Sequence, residues 1–195
     1  SFHVIQQTLE KIIPPLVAAH RRQSAESQSL VLQVRPIIKV FVDALFHIPK
    51  HRRLRLFSVL ITTLGEEDFL HAVTCLIIEK YTEKASKGHQ TEADSLSEFA
   101  LALSNQFSAI VQMKSVIALM DVIGALPNEK TEGGDVEMEE HLFDLSTHNS
   151  KQIRQFKLSV LTFSSNIMSS KSFLSKILTQ TNTDSSAETV LESYY

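Results

Sequence analysis

The chain has 195 residues and a formal net charge of −3, with 43% hydrophobic and 21% charged residues. Glycine and proline occur only five times each, which argues against a disordered or all-β chain and favours long helices. The small negative charge excludes a general attraction to nucleic acid or to an anionic membrane, so any RNA contact has to be local.

Apolar residues at helical spacing predict a series of helices along the whole chain. Their predicted spans are residues 2–22, 29–46, 50–64, 66–81, 95–107, 109–126, 151–169 and 171–178. The chain starts at Ser1 inside the first of these patterns, without the polar outer face of a terminal repeat. We therefore expect a segment of a longer array.

Polar and turn-forming runs divide the helices into groups. Thr82–Asp94 is predicted to be a polar linker, and Pro127–Glu140, with Gly133-Gly134 and many acidic residues, a flexible acidic loop. The predicted organisation is a HEAT-like helical array over residues 1–126, the acidic loop over 127–140, further HEAT-like helices over 141–180 and a polar tail over 181–195.

Two helices carry the most specific packing expectations. The helix over 50–64 and the one that follows Gly65 are predicted to pair in antiparallel fashion, because the break between them is short. Their facing core is predicted to consist of Phe57, Leu60, Ile61, Leu70, Val73 and Ile77. The helix over 109–126 is apolar almost all round, which predicts burial between neighbours.

Helix pairs recur at intervals of roughly 35 to 50 residues, the range of two-helix repeats. The pattern predicts an all-α fold, an irregular α-solenoid of HEAT-like antiparallel helix pairs. A compact helical bundle is the alternative that periodicity leaves open.

Motifs of enzymes and metal proteins are missing from the sequence. Nucleophile elbows and phosphate-binding glycine loops are not found, so we predict no enzymatic activity, no cofactor and no small-molecule substrate. His71 and Cys75 share a helical face but have no third ligand, which favours a packed thiol over a metal site. The acidic residues from Asp135 to Asp144 lack the alternation of a calcium loop and are interpreted as a solvated loop.

The lone cysteine and the hydropathy pattern bear on the compartment. Cys75 has no partner for an internal disulfide, which indicates a reducing compartment. Apolar runs stay shorter than the roughly 18 to 20 residues of a membrane span, and the N-terminus lacks a signal-peptide pattern. We expect a soluble protein without a membrane partner.

One basic cluster, at the start of the helix over 50–64, is a candidate contact for RNA or an acidic partner, because guanidinium groups match phosphate and carboxylate geometry. Its members are Lys50, His51, Arg52, Arg53 and Arg55. The alternative is structural: an arginine in such a position pairs with an acidic residue of a neighbouring repeat. A nuclear import signal is a weaker interpretation of the same residues.

A longer stretch carries a resemblance to a known family. Residues 40–81 read VFVDALFHIPKHRRLRLFSVLITTLGEEDFLHAVTCLIIEKY. The His-Ile-Pro-x-His-Arg-Arg-Leu turn, the following Leu-Gly and the terminal Glu-Lys-Tyr resemble the very large HEAT-repeat protein of the small-subunit processome. That family is associated with U3 small nucleolar RNA and is also called transcription-linked U-three protein. The helices over 106–126 and 149–170 agree with it more loosely.

The resemblance implies a structural scaffold in the nucleolus of the nucleus, within a ribonucleoprotein that acts in ribosome biogenesis. Its implied roles are ribosomal RNA transcription and 18S pre-rRNA processing. The implied partners are other processome proteins, with pre-rRNA or the U3 ribonucleoprotein reached indirectly. The competing hypothesis is a generic HEAT-type adaptor, such as a transport receptor or a phosphatase scaffold. Nucleolar location and sedimentation with pre-ribosomes separate the two hypotheses.

Overall fold

The computed structural model describes residues 11, 15, 27–129 and 141–179. Within these ranges all of the regular secondary structure is helical, which confirms the predicted all-α class. The helices are α1 (Ser27–Asp43), α2 (Lys50–Leu64), α3 (Glu66–Ser86), α4 (Gln90–Ser104), α5 (Ala109–Ala125), α6 (Ser150–Met168) and α7 (residues 171–179), with a 3-10 turn at Leu45–His47. Most of the predicted first helix, residues 130–140 of the acidic loop predicted over 127–140, and the predicted tail over 181–195 lie outside the described residues.

Gly65 separates α2 from α3, at the position predicted. Its φ of 114° and ψ of 104° lie in a region that residues with a side chain rarely adopt. Its N–H donates to the Ile61 carbonyl at 2.9 Å, and its own carbonyl accepts from the Phe69 N–H at 3.0 Å. Gly65 is thus the residue at which α2 ends and α3 begins. Three acidic residues in the first turn of α3, beginning with Glu66, add favourable charge at its N-terminus.

Gly65→Ala should lower the free energy of unfolding by about 1 to 3 kcal/mol, because the new side chain is strained at this φ. Gly124→Ala is the matched control, since a Cβ there meets nothing within 4 Å and the residue is helical. That change should be neutral or should stabilise by about 0.5 kcal/mol. Urea unfolding followed by circular dichroism measures both. A Gly65→Ala variant as stable as the Gly124→Ala variant would contradict the strained turn.

Helix α3 is the centre of the array. It contacts α1, α2, α4, α5 and α6, and every residue from Ala72 to Glu79 is buried. The six residues predicted to form the core of the α2–α3 pair are all fully buried: Phe57, Leu60, Ile61, Leu70, Val73 and Ile77. They belong to one apolar core that continues into α6 and α7.

The predicted linker over Thr82–Asp94 is mostly helical, which corrects the sequence prediction. Helix α3 continues to Ser86 and α4 begins at Gln90, so only residues 87–89 connect them. The polar residues that suggested a linker support the two helix ends: Lys84 forms an ion pair with Glu92 across the turn. Composition alone does not distinguish a polar helix end from a loop.

Helix α5 has an exposed apolar side, contrary to the prediction that it is buried all round. Ile110, Met113 and Ile117 expose 50%, 42% and 60% of their surface, while Gln112 and Ser115 face inward. Gln112 donates to the carbonyls of Ser104 and Phe107 at 2.8 and 3.0 Å, so its polar side chain is accommodated inside the fold. The helix that is enclosed by neighbours is α3.

Candidate functional site

The predicted basic cluster lies on the first turns of α2. Lys50, His51, Arg52 and Arg55 are exposed, and Arg52 Nε donates to His51 Nε2 at 3.2 Å. The first turn of α2 has neither an acidic residue nor a side-chain cap. Positively charged side chains therefore lie at the positive end of the helix dipole, and a bound anion would reduce the repulsion there.

Arg53 is the member of the cluster that the fold places inside. Only 8% of it is exposed. Its Nε donates to the Ile48 carbonyl at 2.8 Å, and its guanidinium carbon lies 5.7 Å from the centre of the Phe46 ring. Arg53 therefore holds the turn before α2, and the candidate contact surface is reduced to the other four residues.

A buried polar cluster that the sequence analysis missed connects α1, α3 and the turn before α6. Glu79 on α3 is 5% exposed. Its carboxylate accepts from the Asp144 N–H at 2.9 Å and lies 3.7 Å from an Arg35 guanidinium nitrogen. Arg35 Nε donates to the Leu142 carbonyl at 2.7 Å, and His148 Nδ1 lies 2.8 Å from the Asp144 carbonyl. The cluster fixes residues 142–148 onto the central helix.

Burial sets the electrostatics of this cluster. Loss of solvent raises the pKa of the Glu79 carboxyl above its ordinary value, although the Asp144 N–H and the Arg35 charge act in the opposite direction. Burial also raises the pKa of the Cys75 thiol, one turn before Glu79, so this thiol stays protonated. Cys75 is fully buried and packs as a small apolar side chain.

A groove of about 250 Å³ lies beside the cluster, between α1 and α3. Charged residues of both signs line it, and they pair with each other. Lys80 Nζ lies 2.8 Å from Asp43 Oδ1, and Lys87 Nζ lies 2.6 Å from Glu83 Oε1. Three lysines and four carboxyl groups line the groove, so its charges largely compensate each other.

Two lysines donate hydrogen bonds to the ends of helices that lie far from them in sequence. Lys157 Nζ on α6 donates to the Leu126 carbonyl, just beyond α5, at 2.7 Å. Lys176 Nζ on α7 donates to the carbonyls of Asn105 and Phe107, beyond α4, at 2.8 and 2.7 Å. Each ammonium group satisfies backbone acceptors that the helix itself leaves open. These lysines tie the helices together and are not free for an external anion.

The described part of the chain contains neither a cluster of metal ligands nor a membrane-spanning helix. Over residues 27–129 and 141–179, no three His, Cys, Asp or Glu side chains come together as a metal site requires. His71 is partly buried, and this burial lowers the pKa of its imidazole. No helix in these ranges has both the length and the apolar character needed to cross a bilayer.

A protein-family profile matches most of this chain. Residues 29–193 match the profile described as "HEATR1-like, HEAT repeats". The chain belongs to the HEATR1-like family. This confirms the resemblance seen in residues 40–81 and the predicted class, an α-solenoid built from HEAT-like helix pairs.

Curated members of the HEATR1-like family match almost the whole chain. HEAT repeat-containing protein 1 of Homo sapiens is 37% identical over 196 residues, and the protein of the same name from Macaca fascicularis is 36% identical over 195 residues. U3 small nucleolar RNA-associated protein 10 of Pyricularia oryzae is 29% identical over 177 residues. Each match covers 91% of this chain, but only 9% of the human and fungal proteins and 20% of the macaque protein.

Proposed function

We propose that this chain forms part of a structural scaffold of the small-subunit processome, acting in nucleolar ribosomal RNA transcription and 18S pre-rRNA processing. The observation that carries the proposal is the family match over residues 29–193. A relative in that family is named for its association with U3 small nucleolar RNA. Since the chain spans 9% of that relative, its share in the activity of such a protein is part of the proposal.

The internal chemistry of the described helices supports a scaffold role. The ion pair between Arg35 and Glu79 connects α1 to α3. Lys157 and Lys176 donate hydrogen bonds to backbone carbonyls at the ends of other helices. These are the interactions by which helices hold a fixed relative position. We propose that partners are other processome proteins and that the chain has no enzymatic role.

The proposal predicts where the full-length parent protein is found. A tagged parent should stain the nucleolus and sediment with pre-ribosomal particles on a sucrose gradient. Depleting it should lower the amounts of 18S precursors. Diffuse cytoplasmic staining, together with sedimentation away from these particles, would instead support the generic HEAT-type adaptor.

The exposed basic residues at the start of α2 are the proposed contact for RNA or for an acidic partner. Lys50, Arg52 and Arg55 carry positive charge on one exposed helix start. With a net charge of −3 on the chain, such a contact is weak and sensitive to salt. The contact to pre-rRNA is therefore secondary to protein partners.

Replacing Lys50, Arg52 and Arg55 together by Glu should abolish retention of a pre-rRNA fragment at low salt, because each neutralised phosphate contributes a salt-dependent term. Arg53 is left unchanged, since its replacement would disturb the turn before α2. The matched control replaces three exposed basic residues elsewhere, Lys151, Arg154 and Lys171, by Glu. Filter binding across a salt series measures retention. RNA binding that survives the first triple replacement and resists salt would show that another surface reads RNA.

A further inference from the structure

Helices α5 and α6 lie side by side and run in opposite directions. Lys157 Nζ on α6 donates to the Leu126 carbonyl, just beyond the end of α5. Lys176 Nζ, which follows α6 in the chain, donates to the Asn105 carbonyl, just before the start of α5. Both helices also contact the central helix α3 and each other. Their exposed sides therefore form one outer surface of the array, with the groove between the two helices along its middle.

This outer surface carries large apolar side chains on both helices. Leu158 and Leu161 are three residues apart, and Met168 follows Leu161 by two turns, so they lie along one side of α6. Single apolar residues are normal on a protein surface, but rows on adjacent helices mark an interaction site. We define the α5–α6 apolar surface as six side chains that each expose at least 40% of their area: Ile110, Met113, Ile117, Leu158, Leu161 and Met168.

The α6 part of this surface has basic residues at both of its ends. Lys151 and Arg154 precede the apolar row by up to two turns, and Lys171 follows α6 at the start of α7. All three are exposed. The sequence over residues 150–179 contains no Asp or Glu. These three basic residues form a positive rim around the apolar row of α6.

Nearby acidic residues do not cancel this rim. The Glu129 carboxylate is 3.7 Å from an Arg154 guanidinium nitrogen, and the two side chains are 82% and 58% exposed. A pair this open to water contributes little, so another carboxylate can replace it. Asp121 on α5 lies two turns after Lys114, on the side from which Lys114 reaches Glu67 of α3. Among the described residues, the rim therefore keeps a net positive charge.

The chemistry of the surface determines what can cover it. Its backbone groups are already paired within helices, so an extended peptide buried on it would leave its own N–H and C=O groups without partners. A helix satisfies these groups itself and can lay an apolar side into the groove between two helices. Acidic residues beside that apolar side would complement the positive rim. An acidic amphipathic helix thus matches the surface in shape, hydropathy and charge.

Two other occupants fit the surface less well. A second copy of the chain would bring its own positive rim toward the first, and like charges across an interface oppose association. An anionic membrane would meet the basic residues of α6 and α7, but the chain as a whole carries a charge of −3 and has no general attraction to such a surface. A partner helix with acidic residues has neither disadvantage.

We propose that the α5–α6 apolar surface binds an amphipathic helix of a partner protein, with acidic residues at both ends of the apolar side of that helix. From Arg154 to the end of α6 at Met168, the helix extends about 21 Å, or about four turns. The acidic groups of the partner helix are separated by a similar length. The surface is formed by helices other than α2, and the inference does not depend on the proposed role in the processome.

A displayed library of helical peptides of about 18 residues, or five turns, tests the chemistry of the partner. The apolar side of each peptide is kept constant, and the positions that flank it are randomised among Glu, Lys and Gln. The whole chain is the target, and its Leu161→Asp variant is the counter-target. We expect Glu to be enriched at both ends of the selected peptides. Enrichment of Lys, or selection without any preference in charge, would overturn the proposal.

Matched variants locate the contact on the protein. Leu161→Asp places a charge within the apolar surface and should weaken binding of a selected acidic peptide by at least about tenfold. Val40→Asp on α1, at a side chain that is 66% exposed, adds the same charge outside the surface and should leave the affinity unchanged. Fluorescence anisotropy measures both affinities, and circular dichroism shows that the variants are folded. Equal affinities of the two variants would contradict the proposed location.

Charge reversal at the rim is an independent test that leaves the apolar rows intact. Replacing Lys151, Arg154 and Lys171 together by Glu should weaken binding of the acidic peptide by about tenfold or more. The same replacement should strengthen binding of a peptide in which Lys takes the place of each Glu. Affinities that do not change on charge reversal would overturn the proposal.

Two further measurements distinguish a partner helix from the other occupants. A dimer in sedimentation equilibrium that is lost in Leu161→Asp would assign the surface to a second copy. Flotation with phosphatidylserine vesicles that is lost in the same variant would assign the surface to a membrane. Either result would overturn the proposal. A monomer that does not float with the vesicles but binds the acidic peptide would support it.

Discussion

Leu60→Ala should lower the free energy of unfolding by about 2 to 5 kcal/mol. Leu60 is fully buried on α2 and belongs to the core that surrounds α3. Removal of its branched end takes away apolar contacts and leaves a cavity, and the enclosed position of α3 limits how far neighbours can move to fill it. Denaturant unfolding followed by circular dichroism at 222 nm measures the loss.

Arg52→Ala is the control for this core substitution. Arg52 is an exposed residue on the same helix, so its loss should change stability by at most about 0.5 kcal/mol. Both variants keep the helix propensity of α2 high, because alanine is the strongest helix former. Equal losses in the two variants would mean that the apolar side of α2 does not face the core.

Arg35→Met should destabilise the protein by about 3 kcal/mol at pH 7, because it leaves the buried Glu79 carboxylate without its counter-charge. It also removes the hydrogen bond from Arg35 Nε to the Leu142 carbonyl. Lys39→Met is the matched control on the same helix. Lys39 pairs with Asp43 at the surface, at 3.2 Å with both side chains more than 40% exposed, so its loss should cost about 0.5 kcal/mol or less.

The pH dependence of Arg35→Met identifies Glu79 as the cause. The pKa of Glu79 is raised in the folded protein above its ordinary value of 4.5, so the folded state holds the proton more tightly. The stability from this carboxyl is therefore fully present below the ordinary pKa and is lost as the pH rises through the raised one. Loss of the Arg35 charge raises the pKa of Glu79 further, so the cost of Arg35→Met should shrink as the pH falls from neutral toward the raised pKa of the parent protein, where Glu79 becomes protonated in both.

The double-variant comparison isolates this titration. With Glu79→Gln as the background, the cost of Arg35→Met should no longer change with pH in that range, because the titrating carboxyl is gone. Thermal unfolding in a series of buffers measures the four proteins. A cost of Arg35→Met that is the same at every pH in the parent protein would show that the Glu79 charge does not determine it.

Local sequence patterns predicted the helices well where turn chemistry marks their ends. Helix α2 has the predicted bounds, Lys50 to Leu64, because Pro49 and Gly65 flank it. The prediction was wrong at residues 82–94, since a polar helix end and a loop have the same composition. It was also wrong about which helix is enclosed. Hydropathy gives the apolar area of a helix such as α5, but the number of neighbours around it depends on the tertiary arrangement.

The candidate site, too, was only partly predictable from the sequence. The sequence shows the basic cluster as a run of charged residues. It does not show that Arg53 is buried, because this burial depends on the carbonyl groups of a turn that only the fold brings close. The Glu79 cluster joins residues far apart in the chain, so no local pattern marks it. One signal was present: Arg35 and Glu79 are charged residues that directly follow apolar residues, Val34 and Ile78, within predicted helices.

The contacts of Arg35 also set an order in which the protein can be completed during synthesis. Its hydrogen-bond acceptor, Leu142, follows 107 residues later in the chain. At about 5 to 20 residues per second, a ribosome needs on the order of 5 to 20 s to make that interval. Until then the Glu79 carboxylate lacks the Asp144 N–H, and α3 lacks the cover of α6. Part of the apolar surface of α3 therefore stays uncovered while the 65 residues from Glu79 to Asp144, and then α6, are made.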